Sequence, residues 1–417
     1  MAFHDSGIMV CDAIMGTGKT QAVISYMNDH AQDKFIYITP YLDESERIQQ
    51  SCPTLSFVCP SKELPDYHFS KLMHTRELLS RHHNITTTHA CFRSYTPEML
   101  DTIREDGYTL IIDEDLDVFQ EAKCDQGDVQ LLLDSGHIVE RDGEYVATGK
   151  PYTGVKLKDI YEMFRCNNLI RVETRGGHFK LYFWTLPYEL ITSFRRIIIL
   201  TYMFHGSDLR RFFELHHIEH RFIGVTTANG KYELADTMEY VPEYVTDIKS
   251  KVHILQNKNL NEIGDKRTAL SANWMNTNKD GVMQLKNNLY NYLRNVSNAK
   301  ASDILWSTYK TNKNDLRGKG FTNEHTQFKL RATNKYRHKT TLAYLVNIFQ
   351  TPDKRNYFLD HGIDFDEDEC ALSTMLQWIW RSAIRDGQEI TIYIPSSRMR
   401  KLLEDWLDWC EKGGPAQ

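Results

Sequence analysis

Hydrophobic and polar positions along the chain fall into blocks that switch between strand and helix periodicity. Residues 7–11 form an apolar run suited to a buried strand, and apolar residues at helical spacing follow from Ala22 to Met27. Further strand-like runs lie at 35–39, 55–58, 85–89, 108–112 and 195–200. Because strands alternate with helices, the pattern predicts an α/β fold with mostly parallel sheets covered on both faces.

The second half of the chain repeats this pattern. Strand-like runs are found at 252–255, 303–307 and 390–394, and helical periodicity at 283–293 and 399–407. A chain of 417 residues is long enough for two ordinary cores. We therefore expect two domains, at 1–204 and 205–417.

Residues 120–195 interrupt the first domain with two hairpin signals. One runs over 138–147 and turns on Asp142-Gly143, and the other runs over 171–184 and turns on Gly176-Gly177. Basic and aromatic residues of the second hairpin would suit contact with a nucleic-acid strand. Burial of one strand face explains most of its aromatics equally well, and we favour that simpler interpretation.

Residues 13–20 read A-x-x-G-x-G-K-T between the first strand and the first helix. This context is typical of a phosphate-binding loop, in which glycines let backbone N–H groups turn toward a phosphate chain. The predicted phosphate-binding residues are Gly16, Thr17, Gly18, Lys19 and Thr20. Lys19 is expected to reach the β- and γ-phosphates, and the Thr20 hydroxyl to hold Mg²⁺. A glycine turn that merely opens a surface helix is disfavoured by Gly-Lys-Thr directly after a strand.

The apolar run at 108–112 leads straight into Asp113 and Glu114. Two carboxylates are thus predicted at the C-terminal edge of the sheet, where such sheets bind ligands. Asp113 would take Mg²⁺ and Glu114 would orient and deprotonate an attacking water. Acidic residues that open a helix give the same string, but its combination with the loop at Lys19 favours a nucleotide site.

Charge patterns in the second half give two further candidates. Residues 310–339 are rich in Lys and Arg and predict either a nucleic-acid surface or a solvated basic face. Residues 377–385 are predicted to be helical, which places Gln377, Arg381 and Arg385 on one face. The two arginines could neutralise charge on a transferring phosphoryl group, although an exposed charged face would give the same spacing.

Three other patterns are given structural explanations. Residues 216–220 match H-x-x-E-H, but no further zinc-ligand pattern accompanies them, so surface histidines are expected. The acids at 364–369 lack the glycine and glutamate of a calcium loop, so they are expected to open a helix. Eight cysteines without a C-x-x-C spacing argue against zinc ribbons and disulfide frameworks and indicate a reducing compartment.

Net charge and hydropathy limit the partners and the cellular compartment that can be expected. A net charge of −6 gives no general attraction to nucleic acid, so any such binding must come from local patches. No segment approaches the ~20 uninterrupted apolar residues of a membrane span, and the N-terminus lacks signal-peptide features. We expect a cytoplasmic protein without membrane association.

Taken in order, these motifs resemble the core of a superfamily 2 (DExx-box) helicase. Residues 13–20 resemble motif I, 37–41 motif Ia, 113–116 motif II, 201–203 motif III, 304–308 motif IV, 331–336 motif V and 377–385 motif VI. Trp380 stands where motif VI has glycine, and Arg385 comes one residue later than the last arginine of the family. The compact build and residues 393–400 look most like helicases encoded by bacteriophages.

The resemblance implies two RecA-like P-loop NTPase domains, with a β-hairpin insertion in the first, and ATP and Mg²⁺ in the cleft between them. Glu114 would be the catalytic base, with Gln377, Arg381 and Arg385 completing the catalytic set and Asp113 the metal site. Thr39, Lys335 and Arg337 would contact nucleic acid.

The implied function is an ATP-dependent helicase or translocase for phage DNA replication or recombination in the host cytoplasm. Its expected partners are single-stranded or tailed duplex DNA, with RNA as an alternative, and replisome proteins. The rival hypothesis is a nucleotide-gated nucleic-acid-binding protein that recruits or loads replication factors without unwinding.

Overall fold

The computed structural model describes most of the chain, in ten stretches. These are residues 7–40, 42–63, 70–114, 116–122, 124–141, 144–173, 180–228, 230–236, 244–330 and 333–412. The predicted hairpin turns at 142–143 and 176–177, and Tyr41, Asp115 and Arg331 of the predicted motifs, lie outside the described residues.

The strands are numbered in chain order. They are β1 (Gly7–Asp12), β2 (Phe35–Thr39), β3 (Ile85–Thr88), β4 (Thr109–Asp113), β5 (Phe119–Glu121), β6 (Ile138–Arg141), β7 (Glu144–Ala147), β8 (Leu169–Glu173), β9 (Lys180–Thr185), β10 (Arg196–Thr201), β11 (Arg221–Ala228), β12 (Lys231–Ala235), β13 (Val252–Ile254), β14 (Ile304–Thr308), β15 (His325–Gln327), β16 (Thr341–Tyr344) and β17 (Ile390–Tyr393).

The helices are numbered in the same way. They are α1 (Lys19–Asp29), α2 (Leu42–Ser51), α3 (Lys71–Ser80), α4 (His89–Phe92), α5 (Pro97–Asp106), α6 (Gln126–Asp134), α7 (Lys158–Arg165), α8 (Tyr188–Thr192), α9 (Asp208–Leu215), α10 (Tyr244–Lys251), α11 (Lys258–Asn261), α12 (Ala272–Thr277), α13 (Lys279–Asn291), α14 (Lys313–Leu316), α15 (Pro352–Asp360), α16 (Glu367–Ile379) and α17 (Ser397–Glu411).

The first sheet has the strand order β12-β11-β1-β10-β4-β2-β3. Its pairings are parallel except for the antiparallel pair β11–β12. In this register Asp12 lies beside Thr201, and Leu200 lies beside Asp113. The C-terminal ends of β1, β10 and β4 therefore meet at one edge of the sheet, where the predicted phosphate loop and carboxylates begin.

Side chains alternate across the two faces of the first sheet, as expected of a buried parallel strand. On β1, Met9 and Cys11 pack with residues of α1 on one face, whereas Val10 packs with residues of α5 on the other. Both faces are thus covered by helices, which agrees with the predicted α/β class.

The second sheet has the order β13-β17-β16-β14-β15, and its pairings are parallel. The core on one of its faces includes residues of α16 and α17, and the core on the other includes residues of α13. The acids at 364–369 open α16 as expected, because the Asp366 side chain accepts hydrogen bonds from the backbone N–H groups of Asp368 and Glu369, each at 2.9 Å.

The two sheets define the names used below, with residues 7–236 as the N-terminal unit and residues 244–412 as the C-terminal unit. The boundary predicted at 204 requires correction, because it would separate β11 and β12 from the sheet to which they are hydrogen-bonded. We place the boundary instead between residues 236 and 244.

Between β4 and β10, the described strands β5 to β9 form two smaller antiparallel sheets, with the orders β5-β9-β8 and β6-β7. The β5-β9-β8 sheet contacts the C-terminal unit through an aromatic cluster. The Phe119 ring lies 4.7 Å from that of Phe183 and 5.2 Å from that of Phe358 on α15, between ring centroids. We call Phe119, Phe183, Tyr357, Phe358, Ile363 and Phe365 the bridging cluster.

Polar contacts join the two units beside β10. The Tyr202 hydroxyl accepts a hydrogen bond from the Trp406 indole at 2.7 Å, and the Tyr202 carbonyl accepts one from Ser373 at 3.2 Å. Lys354 of α15 forms an ion pair with Asp208 of α9. The edge of the first sheet that carries the candidate site thus faces the C-terminal unit directly.

Candidate nucleotide-binding site

The loop between β1 and α1 has the backbone that a phosphate-binding loop requires. Gly16 and Gly18 have φ values of 88° and 87°, in the left-handed region that side chains disfavour. The Thr17 hydroxyl donates to the Ile14 carbonyl at 2.9 Å and closes the turn. The loop then enters α1 at Lys19, so that its last N–H groups lie at a helix N-terminus.

Lys19 folds back onto the same loop. Its ammonium group donates to the carbonyl of Ile14 at 3.1 Å and also to that of Ala13. Burial lowers the pKa of Lys19, while the nearby carboxylates of Asp12, Asp113 and Glu114 act to raise it. A partly buried cation that is held by carbonyl groups and surrounded by acids is placed to exchange those carbonyls for phosphate oxygens.

Asp113, at the end of β4, lies in a crowded acidic environment. Its carboxylate accepts a hydrogen bond from the Tyr37 hydroxyl at 2.8 Å. Burial, together with the charges of Glu44 and Glu114, raises the pKa of Asp113 to about 7. A divalent cation would relieve this repulsion between carboxylates, so the environment of Asp113 fits its predicted role in a Mg²⁺ site.

Glu114 has a left-handed backbone, with φ of 65°, and its N–H donates to the Leu200 carbonyl at 3.0 Å. Its side chain accepts a hydrogen bond from Nη2 of Arg381 at 2.5 Å, which forms an ion pair between the two units. Arg381 is only 8% exposed. The structure therefore brings two predicted catalytic residues together although 267 positions separate them in sequence.

The predicted single helix through Gln377, Arg381 and Arg385 is wrong, because α16 ends at Ile379 and a short 3-10 turn follows at Ala383–Asp386. The three side chains consequently do not share one helix face. Arg385 is exposed, and its pKa is lowered by partial removal from water and by the neighbouring guanidinium groups of Arg381, Arg337 and Arg47.

Gln377 lines a separate cavity of about 750 Å³ that both units enclose. Residues 201–202 and 206–208 line one side, and the C-terminal unit contributes Tyr309, Phe328, Lys329 and Phe349 together with several hydroxyl groups. Aromatic faces combined with hydroxyl and cationic groups suit a stacked, partly charged ligand rather than a purely apolar one.

The residues predicted to contact nucleic acid have different environments. Thr39 is fully buried at the end of β2, so its side chain offers no surface to a strand in this conformation. Lys335 and Arg337 are exposed, but Arg337 forms an ion pair with Asp386. Lys339, the last cation of the basic stretch, is buried and forms an ion pair with Glu324 at 2.6 Å.

Sequence reasoning missed three residues near the site. Glu44 and Arg47 of α2 contribute charge to the neighbourhood of Arg385. The Tyr232 ring of β12 packs on Gly18 of the phosphate loop. A signal for β12 was present, because Asn229-Gly230 between β-rich runs is the strongest short hairpin signal, whereas nothing local marks Glu44 or Arg47.

The described part of the chain shows neither a zinc site at residues 216–220 nor a membrane-spanning helix. The rings of His216 and His220 pack against Phe212 and Phe213, at centroid distances of 4.4 Å and 5.5 Å. Among the described residues no group of three or more His, Cys, Asp or Glu side chains could hold a metal by itself. In that same part of the chain no helix is both long and apolar enough to span a bilayer.

Two solved structures resemble this fold at low sequence identity. An XPD helicase is 11% identical, with a TM-score of 0.43, and the comparison covers 95% of this chain and 94% of that one. The S. tokodaii protein Xpd4 is 12% identical, with a TM-score of 0.48, and coverage of 96% and 94%.

Sequence comparison identifies a full-length relative. The SPbeta prophage-derived uncharacterized protein YonV of Bacillus subtilis (strain 168) is 35% identical over 411 residues, which cover 96% of this chain and 98% of YonV. Residues 246–407 also match the model of the YonV C-terminal Rossmann-like domain, which agrees with the parallel second sheet. The chain therefore belongs to the YonV family.

Proposed function

We propose that the chain is a nucleoside triphosphatase, with ATP as its substrate, that couples hydrolysis to movement along nucleic acid. The observation that carries this proposal is the ion pair between Arg381 and Glu114. It places an arginine of the C-terminal unit at the carboxylate edge of the N-terminal unit, beside Lys19. A cleft that contains a phosphate loop, a base and an arginine from the opposite unit has the parts that phosphoryl transfer requires.

Each side chain then has a defined task. Backbone N–H groups at 16–20 and Lys19 bind the phosphate chain, and Glu114 accepts the proton of the attacking water. When nucleotide binds, Arg381 leaves its ion pair with Glu114 and contacts the γ-phosphate. Glu114 is then free to act as the base at the same time. Thr20 and Asp113 would hold Mg²⁺, which supplies further neutralisation of phosphate charge when it is bound.

The nucleic-acid part of the proposal is supported by the cavity that contains Gln377. Tyr309, Phe328, Phe349 and Lys329 line this cavity, where the aromatic rings would stack on unpaired bases and the lysine would pair with a backbone phosphate. Because both units enclose this cavity, a change in their separation would change its shape. Hydrolysis in the neighbouring cleft could in this way move a strand in the bacterial cytoplasm.

ATP hydrolysis should be measured with no nucleic acid, single-stranded DNA, tailed duplex DNA and RNA, with strand separation followed in parallel. Lys19→Ala should abolish hydrolysis and keep the fold, because Lys19 neutralises phosphate charge and packs no core. Lys401→Ala removes an exposed lysine of α17 that pairs with Asp405, and serves as the matched control.

The outcomes are separable. Hydrolysis that is stimulated by nucleic acid and accompanied by strand separation identifies a helicase. Stimulated hydrolysis without separation identifies a translocase or the nucleotide-gated loading protein. Normal hydrolysis by a folded Lys19→Ala variant would overturn the nucleotide site itself.

A further inference from the structure

An aromatic ring lies directly on the phosphate loop. A Cβ placed on Gly18 would lie 2.4 Å from Cδ1 and 2.5 Å from Cε1 of Tyr232, so the ring occupies the space beside the Gly18 Cα. Gly18 also has a φ of 87°, which by itself disfavours a side chain. The absence of a side chain at Gly18 thus allows both the close approach of the Tyr232 ring and the left-handed turn of the loop.

The position of Tyr232 in the fold is set by the edge of the first sheet. Its strand, β12, pairs with β11, which in turn pairs with β1, the strand that leads into the loop. On β12 the side chain of Leu234 packs in the same core as Ala22 and Val23 of α1. Because alternate residues of a strand share a face, Tyr232 also points to the side of the sheet that carries α1.

The contacts on the two sides of the loop differ in chemistry. Asp113, Glu114 and Arg381 lie on the side of β4, beyond β10, where charged groups surround Lys19. Tyr232 lies on the opposite side, beyond β1, and is half-buried. The charged side suits the terminal phosphates, whereas an aromatic face suits the uncharged end of a nucleotide.

We propose that Tyr232 stacks on the base of the bound nucleotide and so contributes the nucleoside-binding half of the site. This inference rests on the proposed nucleotide site and assigns to it a residue outside the phosphate loop. A tyrosine face accepts every base but stacks more strongly on purines, so the chain should prefer ATP and GTP to CTP and UTP.

The test compares ligands with and without a base. Dissociation constants of ATP, CTP and inorganic tripolyphosphate should be measured in one Mg²⁺ buffer for the wild type, Tyr232→Ala, Tyr232→Phe and Lys231→Ala. Lys231 is the exposed neighbour of Tyr232 on β12, where it pairs with Asp29 of α1, and so controls for disturbance of the strand.

Tyr232→Ala should weaken ATP binding about five-fold or more, with tripolyphosphate unchanged, because only ATP loses a stacking partner. The ratio of ATP to CTP affinity should also fall toward one. Tyr232→Phe and Lys231→Ala should bind all three ligands within about two-fold of the wild type, since both keep the ring.

Two other results have separate meanings. Equal weakening of ATP and tripolyphosphate, with an unchanged ATP to CTP ratio, would show that Tyr232 only shapes the loop and would overturn the inference. Should Tyr232→Ala not fold, the ATP to CTP ratio of Tyr232→Leu decides in the same way. If the wild type binds neither ATP nor tripolyphosphate, the proposed nucleotide site itself is overturned.

Discussion

Glu114 combines a strained backbone with an ion pair to the other unit. A left-handed φ at a residue with a side chain costs on the order of 1 kcal/mol, and here the hydrogen bond to the Leu200 carbonyl holds it. The strained turn aims the carboxylate at Arg381. Strain that persists at a residue in a cleft is a recognised mark of functional sites, which supports Glu114 as the catalytic base.

Glu114→Gln should bind ATP with near-normal affinity and hydrolyse it about 10²- to 10⁴-fold more slowly, because an amide cannot accept the proton of water. Single-turnover hydrolysis and nucleotide affinity should be measured together. Glu404→Gln, a change of the same kind on α17, should leave both unchanged. Turnover near the wild-type rate in Glu114→Gln would show that another group is the base.

Glu369 gives a prediction of pH dependence. Burial and the charges of Asp366 and Asp12 raise the pKa of Glu369 to about 7. Between about pH 4.5 and 7, Glu369 is therefore protonated in the folded state and ionised in the unfolded state. Ionisation favours the unfolded state, so the free energy of unfolding falls as the pH rises through this range. Glu369→Gln should be about 1 kcal/mol more stable than wild type at pH 8, with no difference at pH 4, in urea unfolding. A difference independent of pH would contradict this assignment.

At the scale of elements, the end of α16 shows how tertiary contacts override a helical pattern. Residues 377–385 have helical spacing, yet the backbone N–H of Ala383 donates to the carbonyl of Lys339 at 2.9 Å. Lys339 is itself fixed by its ion pair with Glu324. The chain beyond Ile379 is thus drawn toward the second sheet, and no local signal in the sequence reports that contact.

The sequence alone predicted those parts of the site whose conformation depends on neighbouring residues in the chain. The turn of the phosphate loop depends on Gly16 and Gly18, and the position of Asp113 depends on the strand before it, so both could be predicted. The approach of Arg381 to Glu114 depends on the packing of two separate sheets. Tyr232 reaches Gly18 only through the pairing of β11 with β1, which no pattern at 221–235 specifies.

Arg385→Ala tests whether the 3-10 turn after α16 belongs to the site. If Arg385 contacts the γ-phosphate, hydrolysis should fall about 10³-fold or more with ATP affinity near normal, as for other arginine fingers. Arg381→Ala provides the comparison, and Arg400→Ala, on α17, the control. A loss of only two- or three-fold would leave Arg381 as the sole finger.

At the scale of the whole molecule, the two units are held together at more than one place. The candidate cleft joins them through Arg381 and Glu114, Tyr202 and Trp406 join them beside β10, and the bridging cluster joins the β5-β9-β8 sheet to α15. Closure or opening of the cleft must therefore rotate about these contacts or break them.

Phe119→Ala should remove the centre of the bridging cluster and cost about 3 kcal/mol of stability, because a buried phenylalanine leaves a cavity. Hydrogen exchange should also become faster at the backbone amides of α15, which loses its partner in the N-terminal unit. Phe164→Ala, in a separate core of the N-terminal unit, is the matched control and should leave α15 protected. Equal effects of both variants on α15 would mean that the cluster does not couple the units.

The guanidinium groups around Arg385 have a consequence for work in solution. The chain is acidic overall, with a net charge of −6, yet the charges of Arg47, Arg337 and Arg381 all act on Arg385. Arg337 and Arg381 are paired with Asp386 and Glu114, and a small multivalent anion can exchange with these carboxylates at the guanidinium groups. Sulfate, citrate and inorganic phosphate should compete with nucleotide in ordinary buffers, and phosphate left behind by turnover should delay the next cycle.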